Sequence, residues 1–281
     1  MGNMKKSVTT PNRHRKGIAI LAVAAVAVAV LAAWGVKVAC GKLEDVYQRQ
    51  CCVTDAGEQV EVVSGKIIPA RLIISHFGLT NGVNLASVPF VPLRERLLRD
   101  MPNLLDVKIS RRLPNYVHVE AVERVPVVRV IGSGEKASSL AADREGVVFW
   151  YPRRDTALLP VVREAKKNTS APGERLSGMA LAALHLLQEV SAPEFSALKI
   201  QEVDTFKQDY LFATLGDSSR AKIAWADMEK PTKASRVSLT NQLARLASAV
   251  KSNIAAGTKL WNATDWGTPS RIYANDPTKA E

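Results

Sequence analysis

The sequence predicts an α+β protein: a single N-terminal transmembrane helix, a βααββ module, and then a β-rich domain with two helices. Three observations carry this. Residues 17–36 are twenty consecutive uncharged residues. Two helix-spaced apolar runs over 68–101 are followed by alternating runs over 107–121. Beyond residue 131, short period-2 segments recur around two longer helical patterns.

The apolar run "GIAILAVAAVAVAVLAAWGV" (17–36) would rise about 30 Å as a helix, the thickness of a bilayer's hydrocarbon core. Trp34 stands where interfacial aromatics sit. Five Lys/Arg precede the run and three follow it closely, so the reading places residues 1–16 in the cytoplasm. A cleaved signal peptide fits less well: the apolar core is long, and Lys37 occupies the −3 position before a cut after Ala39. A lipoprotein signal at "KVAC" with Cys40 meets the same Lys37. The expectation is an anchored, single-span protein with a large outer C-terminal domain, its mixed-composition residues 37–56 forming a juxtamembrane linker.

The formal charge of +11 is uneven. Residues 1–40 hold six Lys/Arg and no Asp or Glu, which leaves 32 basic against 27 acidic residues beyond, a net of +5. No dense basic stripe with interleaved aromatics appears, which argues against nucleic acid as a partner. Cys40, Cys51 and Cys52 form neither a disulfide framework nor a C-x-x-C zinc site. In an oxidising compartment a pair or an inter-chain cross-link stays open.

The first module is expected over 57–130. "EQVEVVSG" (58–65) alternates as a strand. In "IPARLIISHFGL", Ile68, Leu72, Ile73 and Phe77 recur at helical spacing. "TNGVNLASVP" is a loop turning at Asn81-Gly82. A second helix has Pro92 in its first turn and places Leu93, Leu97, Leu98 and Met101 on one face before Pro102. Two alternating runs follow around the turn 111–115, with Val107 and Ile109, then Val117, Val119 and Ala121, on buried faces. Two helices laid on a three-stranded sheet would cover it.

In the second domain, 131–275, "SLAADREGVVFW" (139–150) turns at 143–146 between two short strands, and "ALLPVV" (157–162) is extended. Residues 175–190 form a helix burying Leu176, Met179, Ala183, Leu184 and Leu187. Three strands lie between 198 and 227. The helix over 232–254 has Thr232 as N-cap and Val237, Leu243, Leu246 and Val250 inward. A last strand lies around 270–275, and 276–281 is a polar tail.

In this order the motifs resemble the FtsQ/DivIB family of bacterial cell-division proteins. "FGLTNGVNLASV" resembles the family loop G-L-x-x-G-x-N-L-F, with Ala86 in place of a bulky residue. "LPNYVHVEAVERVPVVRV" resembles its P-x-x…E-R-x-P-V-A pattern, with Val128 at the Ala. "AADREGVVF", "LLPVV", "IQEVDTFKQDYLFATLGD", "KASRVSLTNQLARL" and "ATDWGTPSRIYAN" resemble successive later motifs. The last departs at Trp266-Gly267, where the family has Leu-Arg. The likeness spans 17–275 and implies a single-pass inner-membrane location. It implies that the first module is a POTRA domain and that the protein is a non-enzymatic divisome scaffold tied to septal peptidoglycan synthesis. It implies partners that are FtsB/FtsL-like and FtsW/FtsI-like division proteins at the septum, one of them adding a strand at the C-terminal edge.

The residues themselves show no catalytic constellation, cofactor motif or metal set. His14, His76, His118 and His185 lie in four separate segments, without H-E-x-x-H. "SGK" (64–66) lacks the rest of a phosphate loop, and no small-molecule substrate is indicated. An edge strand is either blunted or used for strand addition, which directs attention to Asp265, Trp266, Ser270, Arg271, Ile272, Tyr273 and Ala274. Lys108, Arg111 and Arg112, with Arg129, offer a second, weaker partner surface on the POTRA-like module. The alternative is a POTRA-bearing transport or secretion factor handling client polypeptides; a membrane barrel would mark it, and no long series of alternating strands follows.

Overall fold

The computed structural model describes residues 13–112, 114–132, 135, 138–165, 170–252, 259–264 and 270–272, the side chains of 13–27, 48, 153 and 270–272 excepted. Among the described residues the chain is mixed α/β, with six α-helices and two β-sheets.

The membrane span and the single-pass, inner-membrane localisation expected above are not upheld. Among the described residues no helix is long and apolar enough to cross a membrane. Residues 17–36 lie inside one continuous 38-residue helix, α1 (Arg13–Gln50), rather than forming a separate span. On its C-terminal side the helix continues through Lys37, Lys42, Glu44, Asp45 and Arg49, which cannot extend an apolar span.

By its contacts the chain divides into two compact units, one of Met1–Glu61, Leu79–Val88 and Ser110–His118, the other of Val62–Gly78, Pro89–Ile109 and Val119–Glu281. In the first, the segment after α1 is bonded rather than loose. Leu85 N–H donates to Cys51 O at 2.9 Å, Val53 N–H to Val83 O at 2.8 Å, and Gly82 N–H to Val53 O at 2.7 Å. Cys51, Val53, Leu79, Leu85 and Val117 are buried. So residues 37–56 are not a linker, and Cys51 is part of a core.

The three-stranded sheet has the order β1-β3-β2, from β1 (Val60–Val63), β2 (Leu104–Arg112) and β3 (Tyr116–Glu123). The short α2 (Ala56–Gln59) precedes β1, capped by Asp55, whose carboxylate accepts from Gly57 N–H. Between β1 and β2 lie α3 (Ala70–Phe77) and α4 (Phe90–Asp100). Gly78 ends α3 in the left-handed region at φ 62°. Ile73 and Phe77, one turn apart, are buried, whereas Leu72 is exposed.

The second sheet has nine strands in the order β12-β11-β10-β9-β8-β7-β4-β5-β6. They are β4 (Val128–Ile131), β5 (Leu140–Ala142), β6 (Val148–Trp150), β7 (Val161–Arg163), β8 (Glu202–Asp204), β9 (Leu211–Thr214), β10 (Arg220–Ile223), β11 (Leu260–Ala263) and β12 (Ser270–Ile272). β7 and β8 are parallel and joined through α5 (Gly178–Val190); β10 and β11 are parallel and joined through α6 (Lys233–Lys251). Parallel neighbours need such crossovers. β11 was not foreseen from the sequence, although Trp261 and Ala263 alternate with polar Asn262.

One row of paired residues crosses this sheet in register: Val130, Val162, Val203, Ala213, Ala221 and Trp261. All six are buried with the inward faces of α5 and α6 in one cluster. Of the nine residues expected to face inward here, Leu176, Met179, Ala183, Leu184, Leu187, Leu243 and Leu246 are in this cluster and Val250 packs against it half-buried; Val237 is not, being exposed. Ser235, Ser238 and Gln242 are buried in its place, because Leu239, Leu243 and Leu246 set the helix phase. Thr232 caps α6, its hydroxyl accepting from Ser235 N–H at 3.2 Å.

Candidate functional site

The two groups of residues singled out from the sequence have different surroundings. Ser270, Arg271 and Ile272 form β12, an outermost strand of the large sheet. It pairs antiparallel with β11 through Ile272–Leu260, Arg271–Trp261 and Ser270–Asn262. Among the described residues no strand lies on its other side. In an antiparallel strand successive residues direct their N–H and C=O groups to alternate sides, so part of the β12 backbone faces outward. Asp265, Trp266, Tyr273 and Ala274 lie outside the described residues.

The basic residues of the first module are engaged with the chain itself. Arg111 donates to Val88 O at 3.0 Å and Ala86 O at 3.4 Å, tying down the 79–88 loop. Arg112 stands over the Tyr116 ring at 5.7 Å. Lys108 faces Glu120 at 3.7 Å. Arg129 lies in β4, where its Nε donates to Leu159 O. Close to Arg112, Glu61 accepts from Tyr116 O–H at 2.5 Å and contacts His118 Nδ1 at 2.8 Å. The Tyr116 hydrogen bond, then that of His118, holds the Glu61 carboxyl below its ordinary range.

A pair of adjacent residues, Glu123 and Arg124, does work that sequence reading missed. Glu123 carboxylate oxygens accept from Ile67 N–H at 2.9 Å and Ile68 N–H at 2.7 Å. Arg124 Nε donates to Pro102 O at 3.1 Å, and its Nη1 meets Asp143 Oδ2 at 2.5 Å, both side chains largely buried. Asp143 in turn accepts from the N–H groups of Glu145 and Val147, fixing the β5–β6 turn. The adjacency of opposite charges before Pro126 was the available signal.

The outward face of the large sheet is a charged ladder. Arg163 binds Glu202 at 2.7 Å and lies 3.6 Å from Asp204, while Arg220 reaches Asp204 at 2.9 Å. Burial, then the neighbouring Glu202, raises the Asp204 carboxyl. Arg220 and Lys222 cover the rings of Phe212 and Tyr210 at 4.3 and 4.0 Å. These cations and rings satisfy one another, so the face is a solvated surface rather than an open stacking platform.

Among the described residues no group of three His, Cys, Asp or Glu side chains is placed to hold a metal ion. The arrangement offers surfaces and a strand edge. Compared with family models and with curated proteins, the chain matches none.

Proposed function

We propose that this chain is a non-enzymatic scaffold of bacterial cell division that works by protein–protein contact. An FtsB/FtsL-like partner adds a strand to β12, and FtsW/FtsI-like proteins contact the βααββ module. The observation that carries the reading is the outer position of β12, a three-residue strand paired on one side. Strand addition at such an edge derives its affinity from main-chain hydrogen bonds, so it asks little of side-chain identity. The succession of FtsQ/DivIB-like motifs gives the partner class.

The test is a proline scan of the strand. Proline deletes one backbone donor and is tolerated where that donor faces away from the sheet. Because donors alternate, either Arg271→Pro or Ile272→Pro strikes the outward side. In cells depleted of the native protein, one of these two variants should fail to restore division, giving filaments, while its purified chain melts like the parent. If both variants fold and both restore division, strand addition at β12 is wrong.

A further inference from the structure

Away from β12, the second unit contains a cleft of about 820 Å³. Its walls are apolar: Leu105, Val125, Val127, Leu187 and Phe195 contribute. Two of these side chains are left in solvent, Val125 at 73% and Leu105 at 46% exposure. A volume of this size with apolar walls and few polar groups is that of a ligand or peptide site.

Three acidic and three basic residues line it, and the acids are already engaged. Glu123 is occupied by the N–H groups of Ile67 and Ile68. Asp143 is paired with Arg124, and Glu145 with Arg175 at 3.3 Å. Arg144 and Lys199 remain, both exposed and, among the described residues, in no ion pair. The lining cations without an acidic partner are thus Arg144 and Lys199.

Lys199 is also held in an unfavourable backbone state. Its φ is 42°, in the left-handed region that non-glycine residues rarely adopt. A Cβ on Gly216 would lie 2.8 Å from the Lys199 Cβ, so the glycine makes room for it. Strain of this kind persists where its surroundings enforce it, and it concentrates at binding sites.

Lys199, Pro160 and Ile200 line a second cleft as well, of about 480 Å³, together with Arg129 and the fully exposed Leu158. The two clefts therefore adjoin along shared residues. Cations recur along this path at Arg144, Lys199 and Arg129, with exposed apolar side chains beside them. A compact ligand would fill one cleft; an extended one uses both.

We propose that the two clefts form a single groove that binds an extended acidic peptide segment of a partner protein. Its apolar side chains enter the larger cleft, and its carboxylates meet Arg144 and Lys199. This site is independent of β12 and stands whether or not that edge takes a strand.

The experiment is to pan a phage-displayed random peptide library against the full chain and measure enriched peptides by fluorescence anisotropy. Enriched sequences should combine Asp or Glu with Leu, Ile or Phe. Their affinity should fall about 10-fold with Lys199→Asn or Arg144→Glu, each of which removes a charge-assisted contact. It should also fall on Val125→Asp and on raising salt, which screens exposed charge. Asn tolerates the left-handed backbone, so Lys199→Asn should fold as the parent does, and thermal melts check all three variants. The proposal is overturned if the selected peptides lack acidic residues, or if all three folded variants bind them unchanged. It is equally overturned if the peptides lose affinity only with Ile272→Pro, or if no peptide is enriched while laurate binds the cleft.

Discussion

Gly65→Ala should cost far more than an exposed loop substitution ordinarily does. A Cβ at residue 65 would lie 2.2 Å from Glu123 Oε2 and 2.3 Å from its Cδ. The Glu123 side chain can swing away, so the collision itself is cheap. What is lost is the carboxylate's hold on Ile67 N–H at 2.9 Å and Ile68 N–H at 2.7 Å. A hydrogen bond to a charged group contributes about 1.5–3 kcal/mol. Both bonds share one carboxylate and the site is half-buried, which brings the expected loss to about 2–4 kcal/mol rather than the full sum. In a domain of this size that lowers the melting temperature by roughly 4–16 °C.

A double-mutant cycle isolates this cause. Glu123→Ala should destabilise by a similar amount. In that background Gly65→Ala should become neutral or stabilising by about 0.4–1 kcal/mol, since alanine restricts the unfolded chain and the collision is gone. The assay is urea unfolding of the four chains. Additive losses, with Gly65→Ala as costly without Glu123 as with it, would refute the reasoning and place the strain in the backbone at residue 65.

Arg124→Ala should destabilise by about 3 kcal/mol, because it leaves Asp143, at 8% side-chain exposure, as a buried charge with only backbone partners; equal denaturation midpoints for variant and parent would refute this. Glu164 is buried and accepts from the N–H and hydroxyl of Ser170 at 2.9 and 2.7 Å. Burial raises its carboxyl above the ordinary value, outweighing the Ser170 bonds. The native state therefore binds this proton more tightly than the unfolded state does. Stability owed to Glu164 is greatest below the ordinary carboxylate value and declines as pH rises through the raised native one. Glu164→Gln removes that titration, so parent stability measured relative to this variant should fall as pH is taken from about 4 to 7. A difference that is flat, or that grows with pH, contradicts the assignment.

Local pattern was enough for the elements whose neighbours in sequence are also their partners in space. Alternation placed Val107, Val117, Val119 and Ala121 on inward faces, and they are buried or nearly so. Thr232 showed the start of α6 because capping is a matter of three residues. Met179, Ala183, Leu184 and Leu187 showed the inward face of α5, where the apolar stripe is unbroken. Where polar and apolar residues competed for one face, as Val237 did with Ser238 and Gln242 on α6, composition pointed outward-facing Val237 inward.

What the sequence determined by itself, then, is most of the order of strands and helices beyond residue 57, β11 excepted, with the inward residues of α5 and a final strand around 270–275, of which 270–272 is described. Hydrophobic period and capping act over three to seven residues, within reach of a linear reading. Only the tertiary structure decided that 17–36 belongs to a helix running on to Gln50, and that Cys51 and Val53 are packed rather than loose. The same holds for the Glu123–Arg124 anchor and for the cleft that Arg144 and Lys199 line. Each joins groups from 19 to 56 residues apart, and at that separation the pairing is set by how a nine-stranded sheet orders its strands, which no local period records.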